Sequence, residues 1–133
     1  YGYGYGYGYG DGGADDAAYW HACVDGFAAK WPEAQRARLA ALREAGATIA
    51  YWRSDESGRP SNGGRSQAAV HPGLVQTEKG PLRSDCGAGQ LHATLLPPKW
   101  QGERWWIVAL VGEVGHQDDK MWALQREIVG ECL

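Results

Sequence analysis

Apolar residues in the first third of the chain recur at helical spacing. Across residues 15–30, Tyr19, Trp20, Cys23, Val24 and Phe27 share one face of a 3.6-residue repeat, which predicts a helix. Asp15 or Asp16 can cap it, and both suit the positive end of its dipole. Gly26 weakens it slightly. Residues 32–45 predict a second helix, with Pro32 in a first turn that needs no backbone N–H and Gly46 as its stop. Ala34, Ala37, Leu39, Ala41 and Leu42 are good helix formers there, punctuated by Arg36, Arg38 and Arg43. A junction of about one residue predicts a corner between the two.

The pattern then changes to short β-branched and aromatic runs. Thr48 to Arg53 predicts a strand. Ser54 to Ser66 is a loop by its Gly58, Pro60 and Asn62-Gly63-Gly64, and it is long enough to be a candidate functional loop. Gly73 to Gln76 and Pro81 to Arg83 are weak strands, and Gln90 to Leu95 a firmer one. Pro97 to Trp100 is a turn or a single helical turn. Arg104 to Val111 is nearly continuous apolar sequence and predicts the central buried strand. Gly112 to His116 is expected to continue or pair with it. Asp118-Asp119-Lys120 is expected to open a short helix through Leu124, and Gln125 to Cys132 to close the domain as a last strand. Two helices ahead of five or six short strands define an α+β fold, with a mainly antiparallel sheet covered on one face by helices. The expected organisation is a Tyr-Gly repeat and linker over 1–14 and a single α+β domain over 15–133.

The repeat is strict: YGYGYGYGYG, then Asp11-Gly12-Gly13. Extended, it would cover roughly 33 Å, with every ring on one face and every glycine on the other. Glycine loses much entropy on ordering, so such a tract gains little by becoming rigid alone. The expectation is intermolecular contact: Tyr1, Tyr3, Tyr5, Tyr7 and Tyr9 supply rings, and Gly2, Gly4, Gly6, Gly8 and Gly10 let another backbone approach. The chain begins with Tyr and has Met121 as its one Met, which suggests a processed product or part of a longer polypeptide.

The 133 residues support one domain with a real core, and 44% hydrophobic residues suit a globular chain. A net charge of -3 with scattered basic residues favours neither nucleic acid nor an anionic membrane as partner. Seven Trp stand against one Phe; they read first as core or interface anchors, and second as the lining of a ligand pocket. Cys23, Cys86 and Cys132 are odd in number and lack CxxC spacing, so no zinc site is expected; one bridge or buried free thiols both fit.

Candidate chemistry is sparse. His92 alternates with Leu91 and Ala93, so it faces away from them, as a ligand-binding group, a base, or a histidine bonded across the sheet. Asp119 reads as a helix cap with Lys120 paired to Asp118 or Glu113. Asp85-Cys86 has only Arg83 as a basic neighbour, which leaves the thiol inert. Gly87-Ala88-Gly89 lacks the Gly-Lys-Ser/Thr of a phosphate loop, the serines lack a nucleophile elbow, and no calcium-loop spacing or metal cluster is present. No metal and no cofactor are expected.

Two resemblances enter at the C-terminal half. Cys86, Gly89, His92 with Ala93, Gly112 with Val114, Asp119 with Lys120, and Arg126 with Ile128 form a pattern over roughly 50 residues. It resembles uncharacterised bacteriophage and prophage domains found beside Gly-rich or pentapeptide repeats. A weaker extension reaches Trp52 to Asp55 and the Asn62-Gly63-Gly64 loop. That resemblance implies a structural or interaction protein, self-associating or joining other subunits of a virion or filament through its repeat. More distantly, Leu91-His92-Ala93-Thr94, Trp100 and Trp105 to Leu110 resemble the second half of small ADP-ribosyltransferase folds. This implies an enzyme or a nucleotide-binding remnant, with His92, Thr94, Glu127 and Glu131 nearest to its dinucleotide-gripping and acidic positions; His21 and His71 fit its early position poorly. A glycan-binding module is the third expectation, marked by two coplanar, solvent-facing Trp rings.

Overall fold

The computed structural model describes residues 14–61 and 68–133. The Tyr-Gly repeat, with its expected assembly contacts, and the Asn62-Gly63-Gly64 segment lie outside the described residues. Helix α1 spans Ala14–Ala28 and α2 spans Glu33–Glu44. Because α1 begins at Ala14, Asp15 and Asp16 sit inside its first turn rather than before it. Pro32 is the N-cap of α2 and its carbonyl accepts from Gln35 and Arg36. Seven strands follow: β1 Thr48–Ser54, β2 Val75–Thr77, β3 Leu91–Thr94, β4 Arg104–Leu110, β5 Val114–Gln117, β6 Lys120–Ala123 and β7 Gln125–Glu131. A 3-10 turn, Pro97–Lys99, separates β3 from β4. The fold is α+β with one antiparallel sheet, of seven strands rather than five or six.

Three local expectations change. The segment expected to be a helix from Asp118 is a hairpin: Gln117 pairs with Lys120, and Asp118 takes φ 57°, a left-handed conformation that Asp tolerates in two-residue turns. Lys120-Met121-Trp122-Ala123 then runs as β6. Val114–Gln117 pairs with β6 at one edge of the sheet, not with β4. Pro81 to Arg83 is not a strand; its backbone is held by side chains, with Arg83 N–H donating to Gln90 Oε1 and Trp122 Nε1 donating to the Arg83 carbonyl.

The strand order is β2-β7-β4-β1-β3-β6-β5. In that order β6 and β7 are four positions apart, roughly 19 Å across a flat sheet. Yet Leu124 alone joins them, and one residue spans about 3.5 Å. The sheet must therefore curl until β6 returns to β7. The two halves of the sheet join at β1 and β3, which share a single register pair, Tyr51 with Thr94. Inside the curl, Ala50, Trp106, Val108 and Ile128 from one half meet Ala93, Met121 and Ala123 from the other. The outer face of the first half carries the second core: Ile49, Tyr51, Ile107, Ala109 and Val129 against Val24, Ala28, Leu39 and Leu42 of the helices.

Gly115 and Gly130 are required by close approach to an indole. A Cβ on Gly130 would lie 2.4 Å from the Trp31 ring, and one on Gly115 would lie 2.0 Å from Trp122 Nε1. Each indole crosses a strand where only hydrogen leaves room, and each is fixed by its N–H: Trp31 to the Glu131 carbonyl, Trp122 to the Arg83 carbonyl, both at 2.8 Å.

Candidate ligand-binding cleft

Strand alternation in β7 sends Arg126 inward and Glu127 outward. Arg126 enters the curl and lies 4.6 Å from the Trp52 ring centroid. Its Nε and Nη2 donate to Gln76 Oε1 at 2.9 and 2.7 Å, and its Nη1 to the His92 carbonyl at 2.6 Å. It is 3% exposed, and it forms no ion pair among the described residues. Burial lowers its pKa to about 9, because a charge removed from water without a counter-charge is costly.

Arg126 and Trp52 line a cleft of about 710 Å³, within the range of small-molecule sites. Its walls carry four cationic side chains, Arg53, Lys99, Lys120 and Arg126, against one carboxylate, Glu78. That local sign opposes the chain's net charge of -3. Trp52 and Trp100 contribute aromatic surface, and Gln90, His92 and Cys86 contribute polar groups.

The cations have different tasks. Arg53 is a clamp: its Nη atoms donate to the carbonyls of Pro97, Trp100 and Gly102, so it holds the turn that carries Lys99 and Trp100. Burial lowers its pKa, and Glu103 acts in the opposite direction. Lys99 and Lys120 are exposed at the rim. Lys99 Nζ is 4.0 Å from Asp119 Oδ1, a loose contact, and Lys120 has no ion-pair partner among the described residues.

The loop before β3 forms another wall. Gln90 Nε2 donates to the carbonyls of Asp85 and Gly87. His92 Nε2 lies 3.0 Å from the Gly87 carbonyl, so Nε2 carries the proton. Desolvation lowers the His92 pKa below its usual 6.5; the Gly87 contact opposes this and nearby Arg126 adds to it. His92 is thus a neutral, tethered wall residue. Burial pushes the Cys86 thiol up, against the pull of Lys120, so it is not an activated nucleophile. Cys23, Cys86 and Cys132 are all free thiols, and burial pushes Cys132 up to about 12.

The four residues from the enzyme resemblance are not brought together. His92 reaches the cleft. Thr94 is fully buried, its hydroxyl donating to Asp119 Oδ2 at 2.7 Å and accepting from the Leu96 N–H at 2.9 Å. Asp119 therefore caps no helix. Glu127 lies on the helix side, bonded twice to Arg38 at 2.8 Å. Glu131 pairs with Arg104 at 2.7 and 2.8 Å, and that guanidinium lies 4.7 Å from the Trp106 ring centroid. Among the described residues no three His, Cys, Asp or Glu side chains form a metal-binding group, and no helix is long and apolar enough to cross a membrane.

Trp31, Trp52, Trp106 and Trp122 are buried, and Trp20, Trp100 and Trp105 are half-buried. Trp20 and Trp105 touch at 5.6 Å with their planes at 54°, which is not the coplanar pair a sugar-stacking surface would show. Sequence reasoning missed Arg53, Lys99, Lys120 and Arg126 as site residues. The available signal was Arg126 itself, a cation two residues before the apolar pair Ile128-Val129 in β7; the convergence of the other cations depends on the curl. Comparison with known proteins yields no match to a family model, a curated protein or a solved structure.

Proposed function

We propose that this domain is a binding module for a small, multiply charged anion, with nucleotides as the ligand class that would also use the cleft's tryptophan surface. The observation that carries the reading is Arg126, a buried cation without a carboxylate partner among the described residues, on the wall of a cleft whose exposed charges are two lysines, Lys99 and Lys120, against one carboxylate, Glu78. An anion would supply the missing counter-charge in a low-dielectric site, where pairing is strongest. Binding is favoured over turnover because the Thr94 hydroxyl and the carboxylates of Glu127 and Glu131 are engaged elsewhere. Calorimetry of the full chain with ADP, pyrophosphate and adenosine tests this reading. Saturable heat is expected for the two anions, with adenosine at least about tenfold weaker, a difference of ~1.4 kcal/mol. No heat from either anion at millimolar concentration would remove the proposal.

A second reading keeps the Tyr-Gly repeat as an assembly element, bringing the chain into a particle or filament by self-association. What favours it is the surface beside the point where the repeat joins α1. Tyr19 is 62% exposed and stands edge-on to Trp20 at 5.2 Å, and Trp20 in turn meets Trp105. Aromatic residues of this kind suit protein contacts. Removing residues 1–10 should leave a folded monomer in sedimentation while the full chain assembles; equal assembly of both would contradict the reading.

A further inference from the structure

We infer that the floor of the cleft is a receptor for one oxyanion, a carboxylate or phosphate group, formed by the indole N–H of Trp52 and the guanidinium of Arg126. This rests on the anion-binding reading above and states where the anion is anchored.

The first observation is an unspent donor. Trp31, Trp106 and Trp122, the other buried tryptophans, each donate their indole N–H to a protein oxygen: the Glu131 carbonyl, Ser54 Oγ and the Arg83 carbonyl. Trp52 is 5% exposed and lines the cleft, yet its N–H has no partner among the described residues. Arg53 Nε is the one fully occluded side-chain atom there without a partner. The Trp52 N–H is therefore not fully occluded, on a residue that lines the cleft.

The second observation is the unspent part of Arg126. A guanidinium carries five N–H donors. Three are used, two toward Gln76 and one toward the His92 carbonyl. The remaining two, with the charge itself, have no acceptor among the described residues. Glu78, the one carboxylate of the lining, is exposed and forms no ion pair among the described residues. Indole and guanidinium both donate and neither accepts. A hydroxyl or amide ligand would satisfy hydrogen bonds and leave the charge uncompensated. An oxyanion accepts from both groups and neutralises the charge, and its two oxygens match the guanidinium fork. Lys99 and Lys120 at the rim then remain for a second anionic group of the same ligand.

Indole ¹H–¹⁵N spectra of the full chain test this, titrated separately with inorganic phosphate and with succinate. Trp52→Phe, which keeps a ring beneath Arg126 and removes only the N–H, assigns the Trp52 peak. That peak should move saturably, while those of Trp31, Trp106 and Trp122 stay and report that the fold is intact. Movement with phosphate alone or with succinate alone tells which oxyanion the floor takes. Trp52→Phe should weaken binding about tenfold, the scale of one hydrogen bond to a charged group. A static Trp52 peak while anions bind, weakened by Lys99→Ala or Lys120→Ala, would overturn the floor receptor and leave the cleft reading intact. Absence of any anion binding would overturn both.

Discussion

Arg126 and Glu127 are adjacent in β7 and carry opposite charges, yet neither serves the other. The pleat directs Glu127 to the helices, where Arg38 holds both carboxylate oxygens, and directs Arg126 into the curled sheet beside Trp52. The carboxylate that could have neutralised Arg126 is thus on the far side of the sheet. Glu127→Gln should lower the melting temperature, since Arg38 loses its partner, while anion affinity stays within about twofold, as expected for a site on the opposite face. A large loss of affinity would mean that Glu127 acts in the cleft.

Arg126 should limit stability while serving binding. A buried unpaired charge is a net cost, and replacing buried charge by apolar volume is often neutral or stabilising. Arg126→Met should leave the domain as stable or more stable by about 1 kcal/mol and weaken pyrophosphate binding at least about tenfold. Denaturant melts alongside calorimetry check both halves. Loss of stability with unchanged affinity would make Arg126 a structural residue only.

Gly115 and Gly130, the glycines packed against indoles, give a purely structural expectation. Gly130→Ala sets a methyl carbon against the Trp31 ring at 2.4 Å, and Gly115→Ala sets one against Trp122 at 2.0 Å. Neither indole is free to yield, because both N–H groups are engaged. Each substitution should cost about 1–3 kcal/mol in urea unfolding, the range for overpacked sites.

His92 gives a pH dependence whose sign follows from desolvation. Its pKa is lowered from 6.5 in the folded chain. The unfolded chain therefore takes up a proton first as pH falls, and stability declines from about pH 6.5 downward through the lowered folded value. Melting temperatures between pH 7.5 and 5.5 should fall for the native chain and fall less for His92→Gln. An identical slope in both would show that His92 does not govern this window.

Elements with one dominant physical signal were legible in the sequence. The helix pair followed from the spacing of Trp20, Val24 and Phe27 and of Leu39 and Leu42, and β1, β4 and β7 followed from β-branched and aromatic runs. The Asp118 turn was misread because Asp-Asp-Lys suits a helix start as well as a two-residue hairpin; the choice was made by the pairing of Met121 with Ala93 and Trp122 with His92, contacts distant in sequence. The cleft was less legible for the same reason. Arg53, Lys99, Lys120 and Arg126 come from four separate elements, and the curl forced by the Leu124 link brings them to one cleft. His92 was identified by its place on β3, whereas Thr94, Glu127 and Glu131 were assigned by order along the chain, which says nothing about which face a strand residue occupies.

The most direct measurement is the dissociation constant of pyrophosphate for the full chain beside its Lys99→Glu/Lys120→Glu double variant, at low and high salt. A positive cleft gives one saturable site, weakened by salt and weakened at least about tenfold by the charge reversal. Equal affinity in both proteins, or no binding to either, would contradict an anion-binding cleft.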